Sequence, residues 1–284
     1  MTLLLKKIYF MTLFYRILLI STFIYYPSYS QDLFNLDNTL EFAEHLKSRG
    51  EISFALEEYN RAYFLSPDNT RVQLEILSLN RELGLFSRSI DFISKLEESS
   101  LINKEKLYCL LRLNKFKLLD IELNNEKIML EKGDIYFFTL SKMLLQERWK
   151  EASKYITAID SVDSNIYIKE YYSILNKNEK IKNKNPYLAG ALSVFIPGLG
   201  KLYTGDRKDA LFSLFTIGLG AWQTYDSFTN TGFNSVSGWI YGGMTLFLYS
   251  GNIYGSYSAA KNYNYNQKLI INEEINHNIE TYIN

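Results

Sequence analysis

The sequence predicts an all-α protein in two parts, a helical-repeat α-solenoid followed by a small helical transmembrane domain. Two observations carry that prediction. Gly50 and Gly84 interrupt helical apolar patterns 34 residues apart (84 − 50), the spacing of a repeat built from a helix, a turn and a helix. Near Lys184 the chain changes from a charge every few residues to long apolar runs broken mainly by glycine and tyrosine, which places a domain boundary there.

Composition narrows the partners. With 31 basic and 31 acidic residues the chain has no net field, so no nucleic-acid partner is implied. Cys109 is the only cysteine, which excludes an intramolecular disulfide and a Cys-rich zinc site. It sits in the apolar run of Leu107, Leu110 and Leu111 and is expected as a buried structural thiol. The 23 tyrosines and 18 phenylalanines suit helical packing or a membrane interface equally.

Residues 1–30 have the order of a secretory signal peptide: basic Lys6, Lys7 and Arg16, then apolar Ile17 to Tyr26, then small Ser28 and Ser30. Met11 is a second candidate start, and an uncleaved anchor running from Ile8 is the alternative. No lipobox cysteine follows.

Residues 31–176 are expected as helical repeats. Counted back from Pro67, small or aromatic residues fall where two packed helices need them. Ala43, Ala55 and Ala62 allow close approach, Leu46 packs, Gly50 turns the chain and Tyr59 fills the space between helices. These positions resemble the tetratricopeptide-repeat family, although Thr39 and Phe42 stand where that family has tryptophan and leucine. The second unit turns at Gly84, with Ser89 in the small-residue position. A third pair is expected over Lys104 to Leu123 with its turn at Asn114-Lys115. A fourth is expected over Asp134 to Asp160, turning at Glu147-Arg148 into Trp149 and the small Ala152, and residues 165–176 form a terminal helix. Such pairs stack because one pair cannot bury its own apolar face. The resemblance implies a concave surface of first helices that receives a protein partner. Candidate groups on it are His45, Arg49, Arg71, Tyr136 and Lys142, each of which also fits an ordinary solvated helix face.

Residues 177–186, rich in lysine and asparagine and ending at Pro186, read as a linker. Residues 187–260 then hold three weakly charged segments, 187–203, 210–225 and 236–258, expected to cross a bilayer core of about 30 Å. Residues 261–284 read as a polar C-terminal tail. Glycines from Gly218 to Gly255 suit close helix packing, including the pair Gly251 and Gly255. The run Pro197, Gly198, Gly200, Tyr203 and Gly205, followed by an apolar helix with Gly218, Gly220, Trp222 and Asp226, resembles the TM-two family, a two-transmembrane-helix family. The further helix carrying Asn252, Tyr254 and Gly255 departs from a simple hairpin. Gly198-Leu199-Gly200-Lys201 is not a phosphate loop, because Phe195 and Leu202 stand where glycine and a hydroxyl are required.

Basic Lys201, Arg207, Lys208, Lys261 and Lys268 flank the apolar region, and Asp226 to Ser235 has no base. The positive-inside rule gives three crossings, with the repeats in the periplasm and the protein in the inner membrane. No catalytic, cofactor or metal constellation is expected. His45 and His277 are far apart in the chain, and adjacent acids such as Glu57-Glu58 diverge on a helix. The function expected is a membrane-anchored repeat scaffold, not an enzyme, that binds or assembles a protein partner in the cell envelope, with the lipid membrane as its second partner. The alternatives are a component of a transport or channel complex, or a membrane-associated enzyme without a recognisable motif.

Overall fold

The computed structural model describes residues 9–18, 35–159 and 165–283, which are helices and turns, and among them no strand occurs. The all-α class is as expected. The chain divides into two compact units, Met1–Ser89 and Ile90–Asn284. Residues 9–18 of the expected leader form helix α1, whereas Ser28 and Ser30 lie outside the described residues.

The first unit continues with α2 (Leu36–Ser48), α3 (Ile52–Leu65) and α4 (Thr70–Glu82), and the division between the units falls within α5 (Phe86–Ile93). Asparagines start two of these helices by satisfying amides that have no partner within the helix. Asn35 accepts from the Asn38 N–H, and Asn69 accepts from those of Arg71 and Val72. α3 packs between α2 and α4. Ala43, Ala55 and Ala62 are completely buried, Leu46 and Tyr59 are buried beside them, and Pro67 is exposed at the turn into α4. Burial, and after it the Glu75 and Glu44 carboxylates, pushes the Tyr59 phenol up to about 12.

Each helix pair turns in the same way. Gly50, Gly84, Asn114 and Glu147 all have left-handed backbone, with φ of 77°, 69°, 54° and 57°. After each, the next amide reaches back five residues: Glu51 to Leu46, Leu85 to Asn80, Lys115 to Leu110 and Arg148 to Met143, at 2.7–3.0 Å. This is the Schellman closure, which satisfies carbonyls left over at a helix end. The four turns expected from sequence all fall where expected.

In the second unit α6 (Ser100–Arg112) pairs with α7 (Phe116–Leu123), and α8 (Lys132–Leu145) with α9 (Trp149–Thr157). α10 (Ile166–Lys180) follows, then α11 (Pro186–Phe195), α12 (Leu199–Thr204), α13 (Arg207–Thr231) and α14 (Val236–Ile283). Cys109 is buried in α6, and Ala152 is completely buried in α9. α8 starts with a reciprocal capping box between Glu131 and Asp134.

The membrane expectation does not hold. Among the described residues no helix is long and apolar enough to cross a membrane, which overturns the three crossings, the orientation built on them and the inner-membrane, periplasm-facing location. Gly198 breaks the first expected span into helices of 10 and 6 residues. In α13 and α14, Ser, Thr, Asn, Gln, Asp and Tyr dilute the apolar residues along helices of 25 and 48 residues. The feature that suggested lipid is an outward surface: Phe212, Phe215, Leu219 and Trp222 on α13, and Trp239, Leu246 and Phe247 on α14, are all exposed.

Two other boundaries move. α10 continues to Lys180, so only the residues after it remain of the linker. The linker's end is tied to α14, where the Lys184 N–H donates to Asn264 Oδ1 (2.8 Å) and Asn264 Nδ2 donates back to the Lys184 carbonyl (2.8 Å). The expected tail is the second half of α14 and ends as helix at Ile283.

Candidate functional site

The most elaborated surface of the second unit is where α14 ends. Its last turns pack on α6, α8 and α10, the first helix of each pair and the helix that follows them. Ile271, Ile275 and Ile279, four residues apart and so on one helix stripe, are buried there. Asn278 lies on the neighbouring row and donates Nδ2 to the Tyr167 carbonyl at 3.0 Å.

Tyr282 ends the seam. Its ring stacks on Phe137 with centroids 3.7 Å apart and meets Phe138 and Tyr167 edge-on at 5.8 and 5.0 Å. The phenol donates to Asp134, a nearly inaccessible carboxylate that also holds the Lys104 ammonium at 2.9 Å. Burial first, and then the hydrogen bond to Asp134, raises the Tyr282 pKa far above that of a free tyrosine. Beneath it Phe137 stacks on Tyr171, whose hydroxyl shares a 2.6 Å hydrogen bond with Ser141.

Ion pairs flank the apolar seam. Arg112 of α6 donates to Asn276 at 3.0 Å and lies 3.6 Å from Glu280. Lys177 of α10 reaches Glu274 at 2.9 Å, and Lys268 reaches Glu147 at 2.6 Å. In the pairs to α6 and α10 the base lies on the receiving helix and the acid on α14, while in Lys268–Glu147 the base lies on α14. Trp149, half-buried at the start of α9, borders a cleft of about 370 Å³ together with Lys268 and Ile271.

Two expected surface groups of this unit are engaged elsewhere. Lys142 is buried and pairs with Asp120 of α7, and the Tyr136 ring meets Tyr155 of α9 edge-on at 6.3 Å. In the first unit the outer face of α2 and α4 is cross-linked. Glu44 pairs with Arg71, Lys47 pairs with Glu75 at 2.6 Å, and Arg49 lies 3.9 Å from Glu51. His45 is exposed beside an open cleft of about 500 Å³ lined by Thr39, Phe42, Glu58 and Arg61.

The glycine motif is a packing device. A methyl on Gly200 would lie 1.9 Å from the Ala189 carbonyl oxygen, and one on Gly198 (φ 85°) 2.2 Å from that of Ala210. Asn252 accepts from the Gly198 N–H at 3.2 Å, and Ser193 accepts from that of Gly200 at 3.0 Å and bonds Ser256 at 2.7 Å. Pro197 lies between α11 and α12. Tyr203 accepts from the Asn185 N–H at 3.2 Å beneath the Lys184 ammonium. Gly205 turns the chain out of α12, and a methyl on Gly255 would lie 3.6 Å from the Lys201 side chain, an ordinary contact. Trp222 and Tyr254 are exposed, and Asp226 accepts from Asn230 Nδ2 at 3.1 Å and from Thr229 Oγ1 at 3.0 Å, both on its own helix, so these three stand apart from the packed centre. Gly251 meets nothing within 4 Å, so the expected Gly251–Gly255 packing pair is only half used.

Among the described residues no group of three His, Cys, Asp or Glu side chains converges to hold a metal ion. The sequence reading missed Arg112, Asp134, Phe137, Asn278 and Tyr282. For Asn278 and Tyr282 the signal was the isoleucine stripe and the absence of glycine and proline after Gly255, both of which argue for continued helix. No family model, curated protein or solved structure matches the chain.

Proposed function

We propose that the chain is a tetratricopeptide-like binding module without catalytic activity, which recruits or assembles a protein partner through the first helices of its pairs. One observation carries this reading: four helix pairs close through the same left-handed turn and the same five-residue return hydrogen bond, at Gly50, Gly84, Asn114 and Glu147. In repeat proteins, helix pairs built alike stack on their neighbours and present the outer face of their first helices as a binding surface. Exposed His45, beside the open cleft of the first unit, marks an accessible part of that face.

A photo-crosslinking residue at His45, compared with one at the exposed Glu57 of α3, tests the reading in intact cells. A discrete adduct with one protein from position 45 and none from position 57 is expected. Equal labelling at the two positions, or none at either, would overturn it.

A further inference from the structure

The last turns of α14 lie on their seat as a bound helical peptide lies in a receptor groove. One apolar stripe enters (Ile271, Ile275, Ile279), one aromatic anchor closes the end (Tyr282), and acidic Glu274 and Glu280 meet basic Lys177 and Arg112 at the rim. That is the helix-in-groove mode of recognition, read through anchors one turn apart. Permanent interfaces are mainly apolar, whereas this one is rimmed by the ion pairs Lys177–Glu274 and Arg112–Glu280 and holds buried Asn278 and Asp134 within it.

We propose that the face of α6, α8 and α10 is a recognition site for an acidic amphipathic helix, and that residues 271–283 of this chain are its resident ligand. A partner helix with aliphatic residues at four-residue spacing, a tyrosine at its end and carboxylates for Arg112 and Lys177 competes for the seat. The proposal rests on the reading of the pairs as a binding module, and it names where the second unit binds and what. Because the resident ligand is tethered, its effective concentration is high, and an outside helix binds weakly until the tether's own contacts are weakened.

Two measurements on the full-length protein decide it. Hydrogen exchange compares residues 270–283 with α8, and a fluorescent peptide of residues 268–284 reports binding to the wild type and to Tyr282→Ala. The tail amides should exchange at least about tenfold faster than those of α8. Tyr282→Ala should bind the peptide about tenfold or more tighter than wild type, and adding Arg112→Glu should remove the gain. Joint exchange of the tail and α8 in one opening, or equal peptide affinity for both proteins, would overturn the proposal. If Tyr282→Ala does not fold, exchange in the wild type decides alone. Labelling from position 45 reads the first unit and peptide binding reads the second, so failure of one is told apart from failure of the other.

Discussion

The Tyr282 ring lies on the Phe137 ring, 3.7 Å between centroids and 14° between planes, while its hydroxyl donates to Asp134 three residues before Phe137. One side chain thus closes an aromatic stack and a carboxylate together, and the two roles are separable by substitution. Tyr282→Ala is expected to lower unfolding stability by about 2–4 kcal/mol, the range for losing a large, mostly buried ring. Tyr282→Phe keeps the stack and leaves Asp134 with Lys104, so its cost is about 1 kcal/mol. Urea denaturation of both variants checks the order. Equal losses would mean that the hydrogen bond, not the ring, dominates.

The glycines of α12 and its entry make a sharper test. Gly200→Ala drives a methyl into the Ala189 carbonyl, while Gly251→Ala meets nothing. The first should cost more than about 3 kcal/mol or prevent folding of the second unit, since backbone cannot yield as a side chain can. The second should be neutral or stabilising by up to about 1 kcal/mol, the helix-propensity difference. Thermal melts of the two variants compare them directly, and similar melting temperatures would refute the close approach.

Titration of Tyr59 gives a pH dependence with a definite sign. Its folded pKa is raised to about 12, above the unfolded value of about 10, because burial and nearby Glu75 and Glu44 disfavour the phenolate. A group raised in the folded state contributes stability that is complete below the unfolded pKa and is lost as pH climbs through the folded one. The first unit should therefore weaken between about pH 10 and 12, and Tyr59→Phe should flatten that part of the profile. Tyrosinate absorbance against pH, wild type minus Tyr59→Phe, checks it. A difference curve centred near 10 would contradict the burial argument.

The left-handed turn residues make a last prediction. Glu147 holds φ at 57° without being glycine, and its carboxylate pairs with Lys268. Glu147→Gly should gain about 1 kcal/mol in a Lys268→Ala background, where only backbone strain changes. In the wild type the gain should be smaller by the few tenths of a kcal/mol that an exposed ion pair supplies. Chemical denaturation of the four proteins of this cycle measures both terms. A larger gain with Lys268 present would reverse the reasoning.

The sequence alone determined what is local. Periodicity placed the helices, glycine and asparagine placed the left-handed turns at Gly50, Gly84 and Asn114, and small residues marked Ala43, Ala55, Ala62 and Ala152 for burial. Each of those signals acts over a few residues, so it survives without the rest of the chain. Hydropathy misled at α11 to α14, because apolar runs were counted as spans while Gly198 cut one of them and polar residues diluted the others. Tertiary structure decided the rest. Tyr282 meets Phe137, Arg112 meets Glu280 and Asn264 meets Lys184 across long stretches of chain. Such pairings depend on where whole helices come to lie, and a segment such as residues 261–283 reads as polar tail until the basic and aromatic face that receives it is assembled.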